Sequence, residues 1–323
     1  MSDVKLVIGS SGQIGSVLTK ELQLINGVDR VVAADIRFNP EFKGVFEKLD
    51  ATNFREVMQI VDGYKVAEIY HLAAILSAKG ENHPLKTWDV NMKSFFNVLE
   101  VSRLAGVKKV FFPSSIAVFG NGVERKIARQ SSLLNPLTVY GVSKAAGENW
   151  ANYYSDKYGM DIRSIRYPGI VGYQSNPGGG TTDYAVDIFH HVIKGESFKC
   201  FLKPDTTLPM IYMEDAIRAT LELMEKPKKN LSIQSAYNIS AMSFSPKSLT
   251  KIILQTYPDF EIIYEPDYRQ TIAEGWPKEI DDSVARKDWK WEPCYDVQSM
   301  TDTMISQLRK LHESALNSNE PSE

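Results

Sequence analysis

Val4-Lys5-Leu6-Val7-Ile8 reads as a short β-branched strand, and it runs straight into Gly9-Ser10-Ser11-Gly12-Gln13-Ile14-Gly15. A helical pattern of apolar residues follows at Ile14, Val17, Leu18 and Leu22. Strand, glycine turn and helix in that order form the opening unit of a dinucleotide-binding α/β sheet. The glycines let the backbone turn tightly and approach a pyrophosphate, whose charge is favoured at the helix N-terminus. The spacing is GxxGxxG rather than GxGxxG, and a glycine motif alone is weak. Its flanking strand and helix make it informative. Gly9, Gly12, Gln13, Ile14 and Gly15 are therefore expected to line a cofactor site.

The next strand, residues 30–34, ends in Asp35, 20 residues past Gly15. An acid there would receive the adenosine ribose hydroxyls and repel a phosphate, so the expected cofactor is NAD rather than NADP. Arg37 lies near enough to soften that preference, or it is simply a solvated cation. A third strand running up to Leu49 places Asp50 and Ala51 at the adenine edge. A helix over residues 53–62 leads to a strand over residues 68–72, and Leu72, Ala73 and Ala74 offer small side chains against which a flat cofactor can lie. His71 reads as a core histidine.

Residues 85–105 form a helix with apolar residues on more than one side, which implies burial on two faces. One face would cover the sheet and the other a second subunit. Strand 109–113 ends in Ser114-Ser115, at the C-terminal strand end where open α/β sheets place their chemistry. Tyr140 and Lys144 lie four residues apart at the start of a helix over residues 140–158, hence on one face. An ammonium that close to a phenol favours the phenolate, which makes a base of a group with a free pKa of about 10. Strand 163–166 follows. The alternation predicts an α/β chain with a Rossmann-type, doubly wound parallel sheet.

After Gly169 the rhythm changes, and glycine and proline gather between Gly172 and Gly180. A helix is expected from about Thr182, strands over residues 197–202 and 236–240, and helices over residues 213–224 and 246–257. Residues 1–169 are read as the NAD-binding domain, which takes back parts of 205–240. Residues 170–311 are read as a smaller, discontinuous α/β substrate domain, and 312–323 as a disordered tail.

The 323 residues are 43% hydrophobic and carry a net charge of −3, which offers nothing for nucleic acid or an anionic membrane to bind. No apolar run reaches spanning length and no targeting segment precedes the first strand, so the cytoplasm is expected. Cys200 and Cys294 make no ligand pattern and suggest a reducing compartment. The adjacent His190 and His191 point to different helix faces, and no metal site is expected.

GxxGxxG, His71-Leu72-Ala73-Ala74, Asn91, Ser114-Ser115-Ile116-Ala117-Val118-Phe119-Gly120 and the Tyr140/Lys144 pair occur in an order and spacing that resembles the extended short-chain dehydrogenase/reductases. Within that family the chain resembles the epimerase-like branch that oxidises L-threonine. Its marks are Arg166-Tyr167-Pro168-Gly169, residues 178–185 and Gly275-Trp276-Pro277. The resemblance implies Tyr140 as general base, Lys144 as its partner and holder of the nicotinamide ribose, and Ser115 as the hydroxyl orienting the substrate oxygen. It assigns Asn91 to a proton relay, Tyr167, Pro168 and Ile170 to the cofactor, and Ser77, Thr181, Asp183 and Trp276 to the substrate. Asp183 at a helix start could equally satisfy free amides.

Two departures separate the chain from nucleotide-sugar members of that family. Pro168-Gly169 stands where those have an asparagine, and residues 208–212 lack their cation. A nucleotide-sugar epimerase or dehydratase is the alternative reading, and a silent NAD-sensing regulator on the same fold is another.

Overall fold

The computed structural model describes residues 3–40, 42–120, 126–234 and 236–318. Strand β1 (Val4–Ile8) leads through the glycine turn to helix α1 (Gln13–Asn26), then β2 (Val31–Asp35), β3 (Val45–Lys48), α2 (Phe54–Tyr64) and β4 (Val66–His71). A short helix α3 (Ser77–Gly80) and the long α4 (Pro84–Ala105) precede β5 (Lys109–Phe111), β6 (Ser114–Ser115) and β7 (Ile127–Ala128). Then come α5 (Val139–Tyr158), β8 (Ile162–Tyr167) and β9 (Gly169–Val171).

The remaining elements are α6 (Tyr184–Lys194), β10 (Phe198–Cys200), β11 (Leu208–Tyr212), α7 (Met213–Glu225), β12 (Ala236–Asn238), β13 (Met242–Phe244) and α8 (Pro246–Thr256). They are followed by β14 (Ile262–Tyr264), α9 (Tyr268–Glu274), β15 (Glu279–Ile280), α10 (Ser283–Trp289) and α11 (Val297–Ser318).

The main sheet runs β12-β8-β5-β4-β1-β2-β3, with β6 also paired to β8, and every pairing in it is parallel. Side chains alternate across it. Leu6 and Ile8 face one core with Phe95, Val98 and Ala151, while Val7 faces another with Leu18, Leu22 and Ile217. A third core joins α6, β11, α8 and α11 through Phe189, Met210, Leu249 and Met304. Strand β12 joins the main sheet beside β8, although it follows residue 205 in the chain.

Helix starts follow local chemistry. Asn53 caps α2 by accepting the Arg55 N–H at 3.1 Å, Thr138 caps α5 through Gly141 N–H at 3.1 Å, and Ser245 and Ser248 form a capping box on α8.

Three expectations are corrected. Arg30 belongs to the one-turn 3-10 helix Val28–Arg30, so β2 starts one residue later. The strand expected over 197–202 ends at Cys200, where its pairing with β14 stops. Helix α11 runs to Ser318, through much of the 312–323 stretch read as a disordered tail. Met300, Met304, Ile305 and Leu308 anchor it against the third core, and the helix continues past Leu308. Residues 319–323 lie outside the described residues.

Helix α4 buries Phe95 and Val98 against the sheet, and Thr87 and Asn91 against α3 and the segment after β4. Leu85 (81% exposed), Trp88 (36%) and Leu104 (54%) lie on its outer side, and α5 exposes Trp150 and Tyr153. Burial on the second face of α4 is thus not achieved within one chain.

Candidate active site

The C-terminal ends of β1, β4, β6 and β8 converge on a cavity whose lining includes Gln13, Ile14, Leu72, Ala74, Ser77 and Ser115. Tyr140, Lys144, Tyr167, Pro168, Ile170, Thr181, Asp183 and Trp276 complete the set of expected residues that reach it. A larger cavity of about 270 Å³ lies at the other end of β8, around Arg163 and Ser164, away from this constellation.

Helix α5 can bring Tyr140 close to β6 because Gly141 has no side chain. A Cβ there would lie 2.1 Å from the Ala117 carbonyl oxygen. The Tyr140 phenol faces the Ser115 hydroxyl, which favours its ionised form and itself accepts the Ala117 N–H at 3.1 Å. Lys144 is 4% exposed, and its Nζ lies 4.5 Å from the Phe112 ring centroid and 5.5 Å from that of Tyr140.

Burial dominates the electrostatics of this pair. It pushes the Tyr140 phenol up to about 12, against the pull of the Ser115 hydroxyl, and pushes Lys144 down to about 7. The spacing alone predicted a phenol lowered by its lysine. In the chain by itself the cost of burying either charge outweighs that attraction. Considered together, the two groups share two protons below about pH 7 and one above it. The one-proton state is either amine with phenol or ammonium with phenolate.

His71 lies on the Lys144 side of β4. Burial and the Lys144 charge hold it down to about 3, so it stays neutral, with its Nε2 3.2 Å from the Ser94 hydroxyl.

The turn after β1 is built for close approach. Gly9 has φ of +87°, and a Cβ on it would meet Ala73 N at 2.6 Å; a Cβ on Gly15 would meet the Gly9 carbonyl oxygen at 2.1 Å. Gly12 donates its N–H to that same oxygen. At the end of β2, Asp35 accepts the Ser11 N–H through Oδ2 and the Arg37 N–H through Oδ1, each at 3.0 Å. The Arg37 side chain is exposed. Asp50 is exposed and binds Thr52, while the Ala51 carbonyl is held by Asn97 at 2.9 Å.

Asn91 is placed behind the cavity. Its amide exchanges two hydrogen bonds with the Ile75 backbone, at 2.8 and 3.1 Å, and reaches the Ser143 hydroxyl at 3.3 Å. This fixes the segment that follows β4 above the site.

Ser77 and Thr181 are both buried, with hydroxyls 3.3 Å apart. Asp183 Oδ2 accepts the Gly179 and Gly180 N–H groups at 2.7 and 2.8 Å. The carboxylate thus satisfies free amides, those of the glycine loop ahead of α6, and also lines the cavity. Burial raises its pKa above the ordinary carboxylate range against those bonds. Trp276 is 6% exposed, and its indole N–H has no acceptor among the described residues. Strand β11 is wholly buried between β9 and β13 and sends no side chain to the cavity.

The sequence profile of the NAD dependent epimerase/dehydratase family matches residues 5–240. The chain belongs to this family. It is 42% identical over 305 residues to a mitochondrial L-threonine 3-dehydrogenase of Bos taurus, covering 93% of this chain and 81% of that one. A GalE-like L-threonine dehydrogenase from Cupriavidus necator, in its holo form, superposes with a TM-score of 0.93 at 47% identity, over 94% of this chain and 99% of the other. A monomeric L-threonine 3-dehydrogenase from a metagenome, in its apo form, also gives 0.93, at 45% identity over 95% and 99%.

As a member of the epimerase/dehydratase family the chain presents the groups a dinucleotide needs. The Gly9–Gly15 cradle would hold the pyrophosphate at the start of α1, Asp35 the adenosine ribose, and Lys144 the nicotinamide ribose. Among the described residues no group of His, Cys, Asp and Glu could hold a metal ion, and no helix is long and apolar enough to cross a membrane.

Sequence reading missed Leu76, Ile116 and Thr182, which also line the cavity, and Glu148, which lies beneath it. Glu148 continues the four-residue spacing of Tyr140 and Lys144, and that periodicity was the available signal.

Proposed function

We propose that the chain oxidises the secondary hydroxyl of L-threonine to 2-amino-3-oxobutanoate. NAD, when bound, supplies the hydride acceptor. Tyr140 takes the hydroxyl proton, Ser115 donates to the developing carbonyl oxygen, and Lys144 holds the charge that results. The proton leaves towards solvent past the loop that Asn91 secures.

The observation that carries this reading is the charge inventory of the cavity. Lys144 and Asp183 are the only charged side chains that line it among the described residues, and there is no arginine. Asp183 suits an ammonium. The Trp276 indole N–H and the Ser77 and Thr181 hydroxyls suit a carboxylate. A sugar diphosphate would find neither the asparagine at Pro168 nor a cation on β11. It would forgo roughly 1.5–3 kcal/mol for each charge-assisted bond not made, which disfavours the nucleotide-sugar alternative. The names of the relatives point the same way.

The outer faces of α4 and α5, with Leu85, Trp88, Trp150 and Tyr153 exposed, are proposed to pair with their copies in a homodimer. Free thiols at Cys200 and Cys294 agree with a cytoplasmic location.

Substrate analogues test the reading. A site that pairs both charges of threonine should reject compounds lacking either, because its own buried partner would be orphaned. NAD reduction is expected with L-threonine and very little with 3-hydroxybutyrate or 2-butanol, or with D-threonine, whose two charges stand in the mirror arrangement. Comparable rates with 2-butanol would contradict it.

A further inference from the structure

The stripe of α5 that bears Tyr140 and Lys144 continues one turn on to Glu148, where a buried polar cluster plays no part in the steps above. Glu148 Oε1 accepts the Ser114 hydroxyl at 2.5 Å and Arg166 Nε at 2.9 Å, and Oε2 accepts Arg166 Nη2 at 2.7 Å. Arg166 Nη1 reaches Asn238 Oδ1 at 3.1 Å and the Gln130 carbonyl at 3.2 Å. Ser114 and Glu148 are 2% exposed and Arg166 is 4% exposed.

In the β6–β8 register, Ser114 pairs with Arg166 and Ser115 with Tyr167. One carboxylate therefore ties α5 to β6 and to β8. The residue it grips on β6 is the chain neighbour of the one that meets Tyr140.

A buried ion pair gains little stability over apolar residues of the same volume. What it adds is direction, since a carboxylate held by both arms of a guanidinium and by a hydroxyl has one orientation. We infer that Glu148, clamped by Arg166 and Ser114, is a positioning residue that sets the spacing between the Tyr140 phenol and the Ser115 hydroxyl. This rests on the threonine-oxidising reading only for the substrate used to test it.

The pair is neutral as a unit, and the Lys144 pKa is set by burial. Lys144 otherwise faces neutral His71 on β4, the Phe112 ring and Tyr140, with Glu148 one turn further along its own helix. Breaking the pair places an uncompensated charge about one turn away, of a sign that depends on which partner is lost. The double substitution removes that charge, so a rate that stays low once the pH position is restored reports on positioning and not on charge.

The test uses the full chain carrying Ser114→Ala, Glu148→Gln, Arg166→Met or the double substitution Glu148→Met with Arg166→Met. Steady-state rates with L-threonine and NAD are measured, together with the pH titration of bound NADH fluorescence, which needs no substrate. The single charge variants should lose kcat by roughly 10- to 100-fold, the scale of a misplacement near 1 Å. Ser114→Ala should lose severalfold, and KM for NAD should stay within about twofold in every variant.

Both the rate profile and the fluorescence titration should move to higher pH in Arg166→Met and to lower pH in Glu148→Gln. In the double variant they should return to the wild-type position while kcat stays low. Should the single charge variants not fold, Ser114→Ala and the double variant decide. If both keep kcat within twofold of wild type, the inference is wrong. If the wild type does not oxidise threonine, the functional reading fails. The fluorescence titration then tests the contact on which the inference rests, and coincident midpoints in all folded variants overturn it.

Discussion

The Tyr140 phenol and the Ser115 hydroxyl face each other across one cavity between α5 and β6, with Lys144 buried beneath the same helical face. A substrate hydroxyl entering between them meets an acceptor and a donor at once. Removing the acceptor leaves binding intact and stops proton transfer. Tyr140→Phe should keep NADH affinity, read by fluorescence, and lose turnover by about 10²–10⁴-fold or more. A variant with more than a tenth of wild-type rate would exclude Tyr140 as the base.

The proton shared by Tyr140 and Lys144 sets a pH dependence. The pair can accept the substrate proton once it has lost one of its own, which burial of Lys144 places near pH 7. The threonine oxidation rate should therefore climb with pH through neutrality, and Lys144→Met should abolish that limb along with most activity. A profile flat from pH 6 to 9 in the wild type, as order-of-magnitude bounds around the unperturbed range, would count against the shared-proton scheme.

The same lysine affects folding. Its folded pKa lies below the unfolded value of about 10.4. Between about 7 and that value the unfolded chain holds a proton the folded chain has released, so stability rises with pH across this window. Below it the folded chain bears the full cost of a buried ammonium. Thermal melts should show Lys144→Met gaining most over wild type below pH 7, with the gap shrinking towards pH 10. A gap independent of pH would show that Lys144 titrates normally in the folded state.

At the cofactor end, both Asp35 oxygens are fixed by backbone N–H groups of Ser11 and Arg37, which orients the carboxylate at the end of β2. NADP should serve far less well than NAD, and Asp35→Ala should narrow the difference. Equal rates with the two cofactors in the wild type would refute the assignment.

In the proposed reading Asp183 takes the substrate ammonium, and Trp276 joins Ser77 and Thr181 in taking its carboxylate. Trp276→Phe keeps an aromatic side chain and removes the orphan N–H, so it should raise KM for threonine by roughly 10- to 150-fold, the worth of one hydrogen bond to a charged group. NAD binding should hardly change. An unaltered KM would remove Trp276 from the carboxylate site.

How far the sequence reaches is visible residue by residue. The β1–turn–α1 unit and the start of α5 are readable because their signals are local, a glycine run after a β-branched strand and a helical spacing behind a threonine cap. Spacing predicted that Tyr140 and Lys144 share a face but not the dielectric around them, so the direction of the phenol shift was misjudged. Asp183 was readable as an acid at a helix start. That it grips the glycine loop depends on the path of residues 178–180, which no periodicity encodes. The Glu148–Arg166 pair was invisible because it forms only when α5 packs against β8, 18 residues further along the chain.

One measurement bears most directly on the proposed activity. Purified chain is incubated with NAD and L-threonine, or with UDP-galactose, while NADH absorbance and sugar epimerisation are followed side by side. NADH should accumulate with L-threonine, and UDP-galactose should remain unchanged. Epimerisation of UDP-galactose with no NADH from threonine would contradict the assignment and favour a nucleotide-sugar enzyme on the same fold.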